Sequence, residues 1–405
     1  MAIWKENWDR AVIEDVTSRV KVGYVGSCQK DYCDSCTGVP MIRTTNLADD
    51  GLNWSDLKFV TKDFHERNKK SQLKRNDILI ARHGENGKAC IYDSDEEANC
   101  LNVVIIEPDA GKALPLFLKY IFDYEGVKQQ IQGLTVGSVQ SVINTKTIAR
   151  LEIGLPIIDE QRRIVGILGD IDKKIAYNKA INDNLSEQAH AIFQSWFIDY
   201  VPFDGLAPSN WIKTTLGEVC SCELGGTPSR AKPEYWNGNI PWINSGEVNL
   251  FRITKPSEMI TELGLSKSAT KLLPAKTTVI AITGATLGQI SLLEIESCAN
   301  QSVVGVIPNE RLPYEFIYPY ISSNIQELIS HQTGGAQQHI NKQNVEGLPI
   351  VVPSNDIMNE YVNLVHGYYS SIANNCFENE RLAELRDALL PRLMSGDLDV
   401  SGLDL

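Results

Sequence analysis

The sequence predicts an α+β protein built from two similar mixed α/β domains and two long antiparallel coiled-coil helices, related by a pseudo-two-fold internal repeat. Three observations predict this class. Short blocks of sequence recur about 200 residues apart. Each copy begins with short β-rich runs between Gly, Pro and Asn turns, and each ends in a heptad-patterned helix. The expected boundaries are 1–155 and 201–353 for the mixed domains, and 156–200 and 354–405 for the helices.

The internal repeat is an ordered series of matches, and the separation between partners falls from 203 to 197 residues along the chain. Small loop deletions would produce such a drift. Apolar core positions agree between the copies while turn residues differ, so one scaffold is expected to present two different surfaces. The matched pairs include Trp8 and Trp211, Pro40 and Pro241, Ala81 and Ala281, Val103 and Val303, Ile143 and Ile340, and Pro156 and Pro353.

A strand, a glycine turn and a second strand are predicted near the middle of each mixed domain. In the first copy, Ile78–Ala81 and Ala89–Ile91 flank a turn over Arg82–Gly87. In the second, an apolar run over Val279–Ile282 precedes the turn Gly284–Gly288. Because such turns carry the residues that differ between the copies, we expect them to lie at the functional surface.

Both predicted helices carry an apolar seam with two asparagines at matching positions. A polar residue in a coiled-coil seam fixes register at a cost in stability, and two asparagines facing two would make an antiparallel pair self-complementary. An amphipathic helix lying on its own domain, with the asparagines at a solvated break, is the alternative. The first seam is Ile164, Leu168, Ile171, Ile175, Asn178, Asn182, Leu185, Ala189, Ile192 and Trp196; the second is Tyr361, Val365, Tyr368, Ile372, Asn375, Asn379, Leu382, Arg386, Leu389 and Leu393. Arg386 suggests that its end of the seam is partly exposed.

A helix from Ile164 to Trp196 would be about 50 Å long. A rigid spacer of that size would place two domains on successive turns of one DNA face, where half-sites lie about 34 Å apart. Since the halves are similar and not identical, the expected DNA target has two parts and is asymmetric.

The net charge of −13 alone argues against a nucleic-acid partner, but the acidity is concentrated in the two helical segments. The stretch Lys58–Arg82 carries eight basic and three acidic residues. Candidate phosphate contacts in this basic stripe are Lys69, Lys70, Lys74 and Arg75, because basic side chains supply sequence-independent affinity for DNA. A solvated helix face is the alternative interpretation.

Candidate base contacts lie on the predicted turns, because Arg and Asn side chains can pair with base edges in the major groove. They are Arg82, His83 and Asn86 in the first copy and Thr283 and Thr286 in the second, followed in rank by Ser138, Gln140, Gln337, Gln338 and His339.

The run Gly225–Arg230 has two interpretations. It either brings backbone amides and Arg230 to a phosphate, or forms a Gly-Pro turn that supports Trp236 and Trp242.

Other classes of site find little support. The nine cysteines include one CxxC, Cys33 to Cys36, without a second pair at metal-binding spacing, so we expect reduced thiols, no metal and a reducing, cytoplasmic location. The longest apolar runs are strand-sized, so no membrane span is expected. Asn239–Trp242 only superficially resembles the motif with which adenine methyltransferases hold a flipped base, and we find no catalytic cluster.

Three stretches of the chain, Leu155–Ile164, Gly225–Trp242 and Gly334–Asn341, resemble those of a known family. The sequence is similar over nearly its whole length to the specificity subunits of type I restriction–modification systems. One departure occurs at Ser354–Glu360, where the family commonly has a Glu-Gln-Arg helix start.

The resemblance implies two target recognition domains, each of which reads one part of a split site in double-stranded DNA. It implies docking of two methyltransferase subunits on the paired helices, with a restriction and translocase subunit joining separately. The chain itself would be non-catalytic and bind no cofactor, while S-adenosylmethionine and ATP with Mg would belong to the other subunits. Alternatives are a stand-alone adenine methyltransferase and a coiled-coil scaffold that does not bind DNA.

Overall fold

The computed structural model describes residues 4–48, 51–83, 87–135, 143–330 and 339–403. They form two compact units, one comprising 1–174 with 382–405 and the other comprising 175–381. Both divisions fall inside the long helices, so the boundaries expected from sequence stay a prediction. Within the described ranges, no helix combines the length and apolar character needed to cross a membrane.

Among its described residues, the first unit contains twelve strands and four short helices before the long helix α5. The strands are β1 Asp9–Val12, β2 Thr17–Val22, β3 Tyr32–Cys33, β4 Val39–Arg43, β5 Leu47–Ala48, β6 Gly51–Leu52, β7 Lys58–Val60, β8 Ile78–Ala81, β9 Ala89–Ile91, β10 Asn99–Leu101, β11 Val103–Pro108 and β12 Glu152–Leu155. The helices are α1 Lys62–Arg67, α2 Pro115–Asp123, α3 Glu125–Thr135, α4 Thr145–Ala149 and α5 Ile158–Phe197, with 3-10 turns at Ile13–Val16, Gln29–Asp31, Thr44–Asn46 and Lys69–Ser71.

The second unit repeats this order of elements with fewer strands. The strands are β13 Ile212–Thr215, β14 Ser221–Leu224, β15 Trp236–Ile243, β16 Glu258–Ile260, β17 Leu272–Leu273, β18 Thr278–Ala281, β19 Ile290–Leu292, β20 Ser297–Ala299, β21 Val303–Ile307 and β22 Pro349–Val352. The helices are α6 Leu216–Val219, α7 Glu262–Ser266, α8 Tyr314–Ser330, α9 Lys342–Glu346 and α10 Asn355–Ser395, with 3-10 turns at Val201–Phe203, Pro233–Tyr235, Glu247–Asn249 and Gly284–Thr286.

The central sheet has the same topology in both units. The order β2-β11-β8-β9 of the first central sheet recurs as β14-β21-β18-β19, and the pair β1-β12 recurs as β13-β22. Registers agree too, because Ala81 pairs with Val103 and Ala281 pairs with Val303. The second sheets share the three-strand order β10-β4-β7, which recurs as β20-β15-β16, and differ at both edges. The first unit adds β3 beside β7, and the second adds β17 beside β20. The predicted fold class and internal repeat are confirmed.

Each central sheet is covered on both faces, which explains its uninterrupted apolar runs. Side chains alternate across a strand, so neighbouring residues of β8 and β11 enter different cores. In the first unit one core receives Ile78, Ile80, Val104 and Ile106, and the opposite core receives Leu79, Ala81, Val103 and Ile105. In the second unit Ile280, Val304 and Val306 lie on one face, with Val279, Ala281 and Val303 on the other.

The asparagines of the two long helices pair with each other inside the second unit. Asn178 donates to Oδ1 of Asn379 over 2.9 Å, and Asn375 donates to Oδ1 of Asn182 over 2.8 Å. The pairing runs in opposite directions along α5 and α10, so the helices are antiparallel, as predicted. Asn178 and Asn182 are 1% and 3% exposed. The alternative of a solvated break is therefore wrong.

The apolar seam departs from strict heptad spacing near the end of α5. Phe193 and Phe197 are the buried residues there, whereas Ile192 and Trp196 are only partly buried. A straight α-helix drifts about 20° per heptad relative to a strict repeat. The drift turns the phenylalanines into the core beneath the second mixed domain, where both rings pack against Phe316.

The remaining seam positions divide between the two units. In the first, Ile164, Leu168, Leu389 and Leu393 join the core of the mixed domain. Arg386, expected at a partly exposed end, is half-buried and forms an ion pair over 3.2 Å with Asp172 of α5. In the second unit, Ile372 is buried. Intermediate exposure is found at Ile171, Ile175, Leu185 and Leu382.

The unusual start of α10 has a packing explanation. In α5 the buried Gln161 accepts a hydrogen bond from the Leu114 backbone N–H over 2.8 Å and donates to the Lys112 carbonyl over 3.0 Å. Met358 lies 197 residues after Gln161, and Pro313 immediately precedes α8 as Leu114 precedes α2. Proline has no N–H to donate, so a buried methionine replaces the glutamine without leaving a donor unpaired.

We expect Asn178→Leu alone to lower the free energy of unfolding by about 1–3 kcal/mol, because the half-buried Asn379 and Glu378 both lose the hydrogen bond from the buried Asn178 amide. Asn178→Leu combined with Asn379→Leu should recover part of the loss, since apolar partners of similar size remove both amides while Glu378 still loses its hydrogen bond from Asn178. Urea unfolding of the wild type, both single variants and the double variant forms the double-mutant cycle. Additive losses would contradict a direct interaction.

Candidate nucleic-acid interface

Several loops of the first unit meet at one end of its central sheet. The loop after β2 begins at Gly23, whose N–H donates to the Val103 carbonyl over 2.8 Å. Val103 also pairs with Ala81, the last residue of β8. The β8–β9 turn, with Arg82 and the exposed His83, therefore lies at this same sheet end.

Arg82 has a structural contact of its own at this sheet end. Its Nε donates to the Ile143 carbonyl over 3.1 Å, and the Ile143 N–H donates to the Arg82 carbonyl over 3.3 Å. The side chain thus helps to fasten the segment that leads into α4. Asn86, Ser138 and Gln140, the other candidates of the first copy, lie outside the described residues.

Lys69 and Lys70 line an open groove of about 620 Å³ beside this sheet end. Both side chains are exposed on a 3-10 turn. Tyr24 and Val25 of the loop after β2 form part of the same groove, and Val25 is 60% exposed. The groove combines three basic side chains, those of Lys69, Lys70 and Arg67, and one carboxylate, that of Glu66, with an accessible apolar surface. The excess of positive charge suits contact with a phosphate backbone.

A buried polar cluster holds the turn that carries these lysines. Asn99, fully buried on β10, donates to Oγ of Ser71 over 2.7 Å and to the Asn68 carbonyl over 3.4 Å. Its Oδ1 lies 2.6 Å from Nδ1 of His65. Because both amide hydrogens of Asn99 are directed at acceptors, the proton of this contact belongs to the His65 nitrogen.

The other two candidate phosphate contacts, Lys74 and Arg75, lie beside the opposite end of β8. Lys74 forms an ion pair with Glu107 over 3.0 Å, and Arg75 bridges Asp93 and Asp95 over 2.7 and 2.5 Å. These carboxylates raise the pKa of Arg75. The stripe is therefore divided: of the four candidate phosphate contacts, Lys69 and Lys70 line the groove beside Arg67, whereas Lys74 and Arg75 lie away from it.

The turn between Lys74 and β8 depends on a buried carboxyl group. Oδ2 of Asp77 accepts the backbone N–H of Lys74 over 2.9 Å, and Asp77 is 2% exposed. Burial raises the pKa of Asp77 to about 6, partly offset by that hydrogen bond.

In the second unit, Gly225 and Gly226 contact protein backbone at the equivalent sheet end. The Gly225 N–H donates to the Val303 carbonyl over 3.0 Å, and the Gly226 N–H donates to the Ala299 carbonyl over 2.8 Å. A Cβ at Gly225 would lie 2.1 Å from the Asn300 carbonyl oxygen, so only glycine fits. Both amides are already used, which favours the structural interpretation of this turn.

Arg230 belongs to an aromatic stack. Its guanidinium carbon lies 3.6 Å from the ring centroid of Trp236. Nη2 of Arg230 donates a hydrogen bond to one carboxylate oxygen of Glu258 over 2.7 Å, and Nη1 forms an ion pair with the other oxygen. The indole of Trp242 donates to the Gly226 carbonyl over 3.1 Å. The hydrogen bond from Arg230 lowers the pKa of Glu258. The turn supports the tryptophans, as the second sequence interpretation proposed.

Thr283 and Thr286 lie on the turn after β18, at the same sheet end as Gly225. Thr283 forms a β-bridge with His339, and the Thr286 hydroxyl donates to the Thr283 carbonyl over 3.2 Å. The Ile340 N–H donates to the Ile282 carbonyl, repeating the contact between Ile143 and Arg82. Gln337 and Gln338 fall outside the described ranges.

The sequence comparison missed a basic turn in the second unit. Thr61 and Thr261, 200 residues apart, both cap a short helix, accepting the N–H of Phe64 and of Gly264 respectively. The segment after α7, the helix capped by Thr261, carries the exposed side chains of Lys267 and Lys271. The signal was the threonine match, which the repeat series did not include.

Metal and thiol chemistry find no support in the described part of the chain. No group of three or more His, Cys, Asp or Glu side chains there is arranged to hold a metal ion. All nine cysteines are free, and burial raises the pKa of Cys90 to about 11. That thiol stays protonated near neutral pH.

Comparison with known families decides between the remaining classes of function. The model of the type I restriction modification DNA specificity domain matches residues 25–187 and 208–382, once in each half. The chain belongs to this family. Membership confirms the resemblance inferred from sequence and the role in DNA sequence specificity; the stand-alone methyltransferase and the scaffold are not favoured.

Individual relatives agree with the type I specificity assignment. The specificity subunit of the HindI enzyme of Haemophilus influenzae is 24% identical over 81% of this chain and 88% of its own length. The MjaIX specificity subunit of Methanocaldococcus jannaschii is 25% identical over 71% and 70%. The crystal structure of a type I S subunit from M. genitalium shares the fold, with a TM-score of 0.58, 16% identity and coverage of 98% and 97%.

We expect the stability of this specificity protein to depend on Asp77. A pKa that folding raises means that stability is greatest below the unfolded-state pKa, about 3.9, and is lost as pH rises through about 6. Asp77→Asn keeps an acceptor for Lys74 and cannot ionise. Its free energy of unfolding relative to wild type should therefore increase by about 2 kcal/mol between pH 4 and pH 7 in urea titrations. Parallel pH profiles would contradict this.

We expect Asn99→Ala to reduce both stability and the salt dependence of DNA binding, because Ser71 and His65 lose their partner and the lysine turn loosens. Stability should fall by about 1–3 kcal/mol. The matched control is Asn46→Ala, since Asn46 is 1% exposed and bonds to Arg43, Asn53 and Asp56. A similar loss of stability with an unchanged salt slope is expected of the control. If both variants change the slope equally, Asn99 has no positioning role.

We expect Arg230→Gln to lower the free energy of unfolding by about 1 kcal/mol through loss of the contact with Trp236. Its salt slope for DNA binding should equal that of the wild type, because the guanidinium is already paired with Glu258. Thermal unfolding and binding titrations at several salt concentrations test both statements. A slope less steep by about 0.9 would instead indicate a phosphate contact.

Proposed function

We propose that this chain is the non-catalytic DNA-reading subunit of a type I restriction–modification complex and that it recognises a two-part, asymmetric site in double-stranded DNA. Each mixed domain reads one part. The DNA-facing surface of each domain is the end of its central sheet where the loops after β2 and β8, or after β14 and β18, meet.

One observation carries this proposal: the same backbone arrangement occurs twice with different side chains. The first copy presents Lys69, Lys70 and His83, and the second presents Thr283 and Thr286. Phosphate contacts fix position on a duplex, whereas side chains on the turns read base edges. Two related surfaces with different turn residues therefore favour a target whose halves differ in sequence.

The proposed complex divides the chemistry among its subunits. Two methyltransferase subunits dock on the paired helices and supply S-adenosylmethionine, and a restriction and translocase subunit supplies ATP and Mg chemistry. This chain binds no cofactor and acts with its partners in the cytoplasm. The relatives' role as specificity subunits supports this division.

The test combines the full chain with its cognate methyltransferase subunits and selects bound duplexes from a random library. Footprinting of a selected duplex should show two protected segments with an unprotected gap, and methyl transfer should require both proteins. Methyl transfer by this chain alone would indicate an enzyme. A complex that protects no duplex would indicate a scaffold.

A matched insertion of seven residues in both helices, between the two compact units, should lengthen the gap between the recognised segments. Seven residues preserve the heptad register, so the helices can still pair. The bases read in each segment should stay the same, as measured by methylome sequencing of cells that carry each variant. Altered bases in either segment would contradict the spacer role.

A further inference from the structure

The turn that follows helix α7 in the second unit has the construction of the lysine turn in the first. Both turns follow a short helix capped by threonine, and both lead into residues that pair with equivalent strands, because Gln72 bridges to Asn99 of β10 and Leu272 pairs with Cys298 of β20. Their positions in the two domains are therefore equivalent.

A buried hydroxyl group anchors each turn. Ser71 is 1% exposed and accepts from Asn99, while Thr270 is 3% exposed and donates to the Ala299 carbonyl over 3.2 Å. The anchors use different chemistry for the same purpose. A buried asparagine network holds the first turn, and a hydrogen bond to strand backbone holds the second.

The second turn also packs directly against the loop after β14. A Cβ on Gly226 would lie 2.5 Å from the backbone nitrogen of Thr270, so the two backbones are in close contact. Gly226 and the Thr283 turn share one end of the central sheet. The turn after α7 is thereby held beside the proposed base-reading turn.

We propose that Lys267 and Lys271 are the phosphate-binding pair of the second domain and act there as Lys69 and Lys70 do in the first, from positions that correspond to Arg67 and Ser71. Both lysines are exposed and flank the anchored Thr270. The ligand is the sugar-phosphate backbone of duplex DNA, which a pair of ammonium groups on a fixed turn contacts without regard to sequence. This assignment rests on the proposed function and adds a second positioning contact to it.

The test measures the salt dependence of binding to a selected duplex for the assembled complex. Lys267→Gln and Lys271→Gln should each make the slope of log affinity against log salt less steep by about 0.9, and the double variant by about 1.8. Protection should weaken over the segment read by the second domain. Lys267→Arg with Lys271→Arg retains both charges and should keep the wild-type slope.

The matched control is Lys213→Gln, because Lys213 is an exposed lysine of the same unit on β13, in the separate two-stranded sheet. Its slope should not change. The assignment is overturned if the double Gln variant keeps the wild-type slope of log affinity against log salt. It is also overturned if the Lys213 control changes that slope by the same amount, and in both cases the proposed function stays in place. Absence of any wild-type footprint overturns the proposed function and this assignment together.

Discussion

The two antiparallel strand pairs β8–β11 and β18–β21, each buried on both faces, are the constraint on which the rest of the structure depends. Apolar side chains fill cores above and below these pairs, so a slip of one residue would exchange the two cores. The fixed register brings the loops that follow β2 and β8, and their counterparts, to one end of each sheet. The candidate DNA surface is a consequence of that register.

The helix pair obeys a different constraint, the need to satisfy buried amides. The two asparagines of each helix pair with those of the other in an antiparallel order, with Asn178 opposite Asn379 and Asn182 opposite Asn375. Apolar seams tolerate sliding more readily, because one aliphatic contact resembles the next. The amides therefore select the register at some expense of stability.

The candidate site was only partly predictable, since spacing in sequence does not say which charges find partners. Lys69 and Lys70 lie four to six residues from Lys74 and Arg75 in the chain. Yet the two pairs lie beside opposite ends of β8, and acidic side chains of β11 and of the loop after β9 form ion pairs with Lys74 and Arg75. The glycines before Arg230 suggested a phosphate loop, but they permit contact between two backbones.

The sequence by itself determined the duplication, the mixed α/β class, the antiparallel helix pair and the family, because these follow from periodicity and from matches that need no knowledge of distant contacts. Tertiary structure alone decided how the basic stripe divides, how Arg230 is used, and that a turn near Thr270 corresponds to the one near Ser71. Each of these depends on groups far apart in the chain, such as Asn99 with Ser71 or Gly226 with Thr270, whose proximity only the folded sheet creates.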